Sequence, residues 1–77
     1  MPDDPAPLRL DLRGLKCPLP ALHTRRALER LGAGGRLEVE CTDPMAAIDI
    51  PHLAAQMGWR IEAFERGPAS LLFRIRR

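Results

Sequence analysis

The sequence has few aromatic residues, few cysteines and no long apolar segment. Its 77 residues include one Trp, two Phe and no Tyr, so leucine, isoleucine, valine and alanine must form most of the core. A chain of this length corresponds to one small domain, which hides only about 60% of the surface that the unfolded chain exposes. An enzyme with a large, enclosed substrate cleft is therefore not expected.

No apolar run approaches the roughly 20 residues that a membrane-spanning helix needs. The first residues, MPDDPAP, are acidic and rich in proline, whereas a secretory signal is first basic and then apolar. The two cysteines, Cys17 and Cys41, are too few for the disulfide framework of a small secreted domain. These features predict a soluble, cytoplasmic protein with two free thiols and no membrane partner.

The charge is unevenly distributed along the chain. Residues 13 to 36 carry six basic residues and one acid, a net charge of +5, whereas the net charge of the whole chain is only +2. A general nucleic-acid-binding protein has a stronger and more continuous positive bias, and often has aromatic residues on which bases stack. Direct nucleic-acid binding is therefore not expected. A nucleic-acid-binding or regulatory adaptor that uses the basic segments 13 to 36 and 58 to 77 is the alternative function.

The spacing of apolar residues predicts the order strand, helix, strand, helix, strand, strand after a disordered tail at residues 1 to 7. In chain order, the predicted elements are a strand over 8–12, a helix over 17–31, a strand over 37–41, a helix over 46–57, a strand from 59 and a strand over 71–75. Pro51 interrupts the second helical pattern. Either this helix is kinked at Pro51, or a turn over 44–49 precedes a helix that begins near Asp49.

Each predicted strand has one apolar and one polar face, which is typical of a sheet that helices cover on one side. Right-handed crossovers place both helices on the same face. A strand–helix–strand connection makes a parallel pair, and the tight turn at 66–68 makes the last two strands antiparallel. The predicted fold is a single domain over 8–77, a two-layer α/β sandwich with a four-stranded mixed sheet.

The segment GLKCPLP, residues 14–20, carries most of the chemical information. Cys17 is predicted at the N-cap of the first helix, where free backbone N–H groups and the helix dipole favour an anion. Lys16 and Arg13 add positive charge, and together these features predict a lowered thiol pKa. Pro18 and Pro20 are predicted to stiffen the loop that presents the thiol. Because cysteine is not a preferred N-cap residue, a reactive thiol is favoured over simple capping.

The run LDLRGLKCPLP, followed by Asp43-Pro44, Asp49-Ile50-Pro51 and Gly58, resembles the TusA/SirA-like family of small sulfur-carrier proteins. The resemblance extends over nearly the whole chain from Leu10 and implies a two-layer sandwich of four strands and two helices. It also implies that Cys17 carries a persulfide. The implied partners are a cysteine desulfurase or rhodanese-like sulfur donor and a sulfur-acceptor protein, which serve tRNA thiolation, molybdenum cofactor supply or sulfur oxidation. No cofactor is expected.

The remaining candidate residues have simpler interpretations. Cys41 shares a strand face with apolar residues and is predicted to be buried, a resolving thiol for Cys17 being the alternative. Asp43 and Asp49 match acidic positions of the family and are predicted to cap helices, with partner contact as the alternative. The possible metal ligands lack the close spacing of a structural zinc site, so no metal is expected; they are Cys17, His23, Cys41 and His52.

Two further predictions concern the surface and the redox class. Pro20 stands where a Cys-x-x-Cys site would have its second thiol, so a dithiol oxidoreductase is not expected. Charged residues are predicted to guard a sheet edge; they are Arg66, Arg74, Arg76 and Arg77.

Overall fold

A computed structural model describes residues 7–77 of the chain. The predicted disorder of residues 1 to 7 falls, apart from Pro7, outside the described residues. The elements are β1 (Leu8–Leu12), α1 (Leu19–Leu31), β2 (Arg36–Cys41), α2 (Ala46–Met57), β3 (Arg60–Arg66) and β4 (Leu71–Arg76). This order confirms the predicted fold class. Within residues 7–77, neither helix has the length and apolar character needed to cross a membrane.

The four strands form one mixed sheet in the order β1-β2-β4-β3. β1 and β2 run parallel, β4 is antiparallel to both of its neighbours, and the crossover from β1 to β2 passes through α1. Because β1 and β2 are parallel, their carboxyl ends lie at the same edge of the sheet. The loops that begin α1 and α2 therefore meet at this edge.

The core lies between the sheet and the two helices, which pack side by side against it. β2 and β4 alternate strictly between buried and more exposed residues, as the sequence predicts. The fully buried large side chains include Phe73, Leu28, Leu37, Ile50 and Ile75. The other face of the sheet carries ion pairs, among them those of Glu38 with Arg9 and Arg74.

α2 is one helix from Ala46 to Met57 with Pro51 inside it, which decides between the two alternatives drawn from the sequence. Pro51 has no N–H to donate to the carbonyl of Ala47, one turn earlier. The buried face of α2 offsets this loss, since Ile50, Leu53 and Ala54 pack into the core. Gly58 ends the helix in the left-handed conformation, with φ of 73°, where a side chain would be strained.

β3 departs from simple alternation. Ile61 pairs with Ile75 and Phe64 pairs with Phe73, although two residues separate Ile61 from Phe64 and only one separates their partners. This β-bulge turns Phe64 to the same face as Phe73, on which it stacks with ring centroids 4.8 Å apart. β3 is an edge strand of the sheet, and Phe64 keeps 43% of its surface exposed.

Candidate functional site: an exposed thiol beside two carboxylates

Cys17 lies in the loop between β1 and α1, at the sheet edge where both helices begin. Gly14 allows the chain to turn out of β1 with φ of 86°, and its N–H donates to the Thr42 hydroxyl over 2.8 Å. Pro18 is the N-cap of α1 and Pro20 lies in its first turn, buried. The two prolines therefore lie at the helix start, as predicted, and the Cys17 side chain is exposed.

The prediction that Cys17 itself caps α1 is wrong by one residue. Pro18 occupies the N-cap position, and the N–H of Leu19 donates to the Lys16 carbonyl over 2.9 Å. That N–H therefore does not face the sulfur. The helix dipole still begins near Cys17, but the Leu19 N–H, one of the donors expected to favour an anion there, is already bonded.

Asp43 joins the Cys17 loop to the loop that precedes α2. Its Oδ2 accepts a hydrogen bond from the backbone N–H of Cys17 over 2.6 Å, and its Oδ1 accepts one from the N–H of Met45 over 3.0 Å. These two bonds, that of Cys17 foremost, lower the pKa of the Asp43 carboxyl, and the nearby charge of Lys16 adds a smaller effect. The carboxylate of Asp43 thus anchors the backbone that presents the thiol.

Asp43, the predicted cap of α2, lies two residues before the N-cap position. Met45 is the N-cap of α2, and Asp43 bonds the turn immediately before the helix. The prediction that Asp49 caps a helix is wrong, since Asp49 lies within the first turn of α2.

The Asp49 carboxylate contacts the sulfur of Cys17. The Cys17 thiol donates to Asp49 Oδ2, with 2.9 Å between Sγ and the oxygen, across 32 residues of sequence. Asp43 and Asp49, which the sequence offered only as capping or partner-contact residues, therefore converge on Cys17, one at its backbone and one at its sulfur. Their shared match to the family's acidic positions was the only signal in the sequence that linked them to the cysteine.

The pKa of Cys17 is raised, which is the opposite of the predicted direction. The hydrogen bond to Asp49 is the largest cause, followed by partial removal from water and by the negative charges of Asp49 and Asp43. A thiol that donates to a carboxylate loses that bond on ionisation and gains a charge repulsion instead. The geometry therefore favours the neutral thiol in the free protein.

The two basic residues predicted to favour a thiolate are engaged elsewhere. Arg13 donates two side-chain hydrogen bonds to Asp11, each over 2.9 Å, and this pairing lowers the pKa of Asp11 to about 2. Lys16 is close enough to Asp43 to lower the pKa of that carboxyl. Neither cation offsets the effect of Asp49 on the sulfur.

Cys41 is fully buried in β2, which confirms its predicted burial. Removal from water is the main reason that the pKa of its thiol rises to about 11. Cys17 and Cys41 are both free cysteines. A buried, protonated thiol reacts slowly, so the structure favours an inert core residue over a resolving thiol.

The other candidate residues do not form a second site. His23 and His52 are both exposed, and no group of three or more His, Cys, Asp or Glu side chains in residues 7–77 is arranged to hold a metal ion. Three of the arginines predicted to protect a sheet edge make separate contacts. Arg74 pairs with Glu38, Arg76 with Glu62, and Arg77 donates to the last carbonyls of α1.

The surface near Cys17 is open and partly apolar. A shallow cleft of about 220 Å³ adjoins the Cys17 loop; it is lined by Gly14, Leu15, Lys16, Thr42, Asp43 and Pro44. Large apolar side chains at the start of both helices are 42–63% exposed, namely Leu19, Leu22, Met45 and Ile48. Apolar side chains exposed together are typical of surfaces that contact other proteins.

Comparisons with known proteins agree with this description. The family described as Sulfurtransferase TusA matches residues 8–77. The sulfur carrier protein TusA of Pseudomonas entomophila is 34% identical over 88% of this chain and 85% of its own. The sulfur carrier protein TusA of Allochromatium vinosum is 41% identical over 64% of each chain. The crystal structure of a SirA-like protein from Desulfitobacterium hafniense matches with a TM-score of 0.79 and 27% identity, over 90% of this chain and 95% of that one.

The fold is thus the α/β sandwich of a SirA-like protein, shared over nearly its full length. The chain belongs to the TusA family, as the resemblance in sequence predicted.

Proposed function

We propose that this protein is a small sulfur carrier that accepts a sulfane sulfur on Cys17 as a persulfide and passes it to a thiol of an acceptor protein. The observation that carries the proposal is the exposed Cys17 thiol, anchored through its backbone at the edge where both helices begin. Membership of the TusA family, two of whose members are named sulfur carriers, supports the same function.

The transfer consists of two nucleophilic displacements. In the first, the Cys17 thiolate attacks the terminal sulfur of a persulfide on the donor, a new S–S bond forms, and the donor leaves as a thiolate. In the second, an acceptor thiolate attacks the terminal sulfur on Cys17, and Cys17 leaves as a thiolate. Each step breaks one S–S bond and makes another, so no external oxidant or reductant is consumed. Both steps need an accessible sulfur and no enclosed pocket.

The substrates of this reaction are cysteines of other proteins. The exposed apolar side chains at the start of α1 and α2 support protein contact at this end of the molecule, since they remain in water unless a partner covers them. A cysteine desulfurase or a rhodanese-like protein is the proposed donor. The proposed acceptors belong to tRNA thiolation, molybdenum cofactor supply or sulfur oxidation. The cytoplasmic location stays a prediction.

Sulfur loading tests the proposal directly. The protein is incubated with a cysteine desulfurase and cysteine, and intact and peptide mass spectra are recorded. We expect one added sulfur on the peptide that contains Cys17, and its release as thiocyanate on treatment with cyanide. Cys17→Ser should abolish loading with an unchanged circular dichroism spectrum, and the matched variant Cys41→Ala should load normally.

Sulfur on Cys41 alone, or on neither cysteine, would contradict the proposal. Nucleic-acid binding that survives Cys17→Ser and weakens steeply as salt is raised would indicate the alternative function instead.

A further inference from the structure

The proposed function requires a thiolate, yet the carboxylate at the site stabilises the thiol. Asp49 Oδ2 accepts the hydrogen bond of the Cys17 thiol over 2.9 Å. Asp49 belongs to the first turn of α2 and is only partly exposed, so its Cα is fixed by the helix at the edge of the site. This contact needs an explanation that goes beyond the ability of Cys17 to carry sulfur.

The two acidic residues at the site have different tasks. Both oxygens of Asp43 accept backbone N–H groups, from Cys17 and Met45, so Asp43 acts on the loop. Asp49 is the carboxylate that bonds the sulfur itself. The charges that act on the Cys17 thiol are the negative ones of Asp49 in α2 and of Asp43 in the loop before α2. Lys16, the neighbour of Cys17 in the chain, acts on Asp43. Two negative charges therefore face the sulfur.

This excess of negative charge has a consequence for the partner. A cation brought to the site pairs with the Asp49 carboxylate and takes away the acceptor of the thiol hydrogen bond. The same cation also stabilises the thiolate by direct attraction. An anionic partner has neither effect and is repelled by both carboxylates.

We propose that Asp49 is a positioning residue that holds Cys17 as a thiol in the free carrier and selects sulfur donors that bring a positive charge beside their reactive sulfur. This inference rests on the proposed function, since it explains how the carrier is loaded. When the donor cation pairs with Asp49, the thiol proton passes to water. The resulting Cys17 thiolate attacks the terminal sulfur of the donor persulfide, and the electron pair of the broken S–S bond leaves with the donor thiolate.

The first test measures alkylation of Cys17 by iodoacetamide, a neutral probe, as a function of pH. Asp49→Asn keeps the shape of the side chain and removes its charge. We expect its rate at pH 7 to be about fivefold above that of the wild type or more, because the thiolate fraction rises while each thiolate becomes only slightly less nucleophilic. The midpoint of the pH profile should move to lower pH. Glu29→Gln, which removes an exposed carboxylate paired with Arg25 on α1, is the matched control and should leave the profile in place.

The second test uses two small disulfides of opposite charge, cystamine and 3,3′-dithiodipropionate. Exchange of the wild-type Cys17 should be faster with the cationic disulfide. We expect Asp49→Asn to reduce this preference about fivefold, whereas Glu29→Gln should keep it. Asp49→Glu retains the charge on a longer side chain and should recover part of the preference. Circular dichroism and thermal unfolding confirm that each variant is folded before its rates are compared.

An unchanged pH profile in Asp49→Asn would overturn the inference, as would a cystamine preference that survives this substitution or falls equally in Glu29→Gln. These readouts use small probes and do not depend on a sulfur donor. If Cys17 responds to Asp49 as expected but is never loaded by a desulfurase, the proposed function fails while the electrostatic role stands. If loading succeeds but Asp49→Asn changes neither the alkylation profile nor the disulfide preference, the inference fails and the proposed function stands.

Discussion

Replacement of Thr24 by valine should stabilise the protein. Thr24 lies on the buried face of α1 with none of its surface exposed, and its hydroxyl oxygen makes no hydrogen bond within residues 7–77. In the unfolded chain the same hydroxyl is bonded to water. Burial of a hydroxyl without a partner costs about 1–3 kcal/mol, so the native state carries this cost at one position in its core.

Valine has almost the same shape as threonine and puts a methyl group where the hydroxyl was. The helix propensities of the two residues are close, so the backbone contributes little to the difference. The lower part of the range is the appropriate expectation, and Thr24→Val should raise the free energy of unfolding by about 1 kcal/mol. For a domain of this size that corresponds to a rise of roughly 4–8 °C in the melting temperature.

Urea and thermal unfolding followed by circular dichroism measure the effect. Thr24→Ser is the matched control, since it keeps the hydroxyl and removes the methyl group, and it should lower stability by about 1 kcal/mol. Sulfur loading of Cys17 should be the same in both variants. A Thr24→Val protein that is less stable than the wild type would refute the reasoning, because it would show that the hydroxyl makes a favourable bond in the folded state.

Three further predictions concern the thiols, the acid range and the end of α1. A thiol reagent should modify Cys17 in the folded protein and reach Cys41 only on unfolding, because Cys41 is fully buried; two equally fast thiols would contradict this. Because the pKa of Asp43 is lowered from 3.8, its bond to Cys17 stabilises the fold above pH 3.8 and is lost as pH falls through the lower, folded value. The amide resonance of Cys17 should follow that change, and should not do so in Asp43→Asn. Arg77→Ala removes the side chain that donates to the carbonyls of Leu28 and Glu29 and should cost about 0.5 kcal/mol in urea unfolding, whereas Arg26→Ala should cost less.

The regular elements follow from local patterns that the sequence shows directly. Leu37, Val39 and Cys41 alternate with acids, and all three are buried in β2. The spacing of apolar residues in α2 likewise indicates its buried residues, which are Ala46, Ile50, Leu53 and Ala54. These patterns predict burial correctly because the side chains on one face of a helix or strand recur with the period of that element.

Local patterns were less informative where the chain departs from regularity. The bulge between Ile61 and Ala63 changes which residues of β3 face the helices, and only pairing with β4 shows it. The first helix, α1, begins at Leu19, two residues after the predicted start. The residues before it form a turn, in which the N–H of Leu19 donates to the carbonyl of Lys16. The continuity of α2 through Pro51 depends on the core contacts of the residues around it.

By itself, the sequence determined the fold class, the family and which of the two cysteines is buried. Each depends on the order and type of neighbouring residues, which a linear chain displays. The tertiary structure alone decided the protonation preference of Cys17. Its sequence neighbours, Lys16 and Arg13, suggested a thiolate, but Asp49 reaches the sulfur from 32 residues further along the chain. Electrostatic effects depend on distance in space. The protonation of Cys17 is therefore governed by the Asp49 carboxylate, which is near in the structure, and not by the cations that are near in sequence.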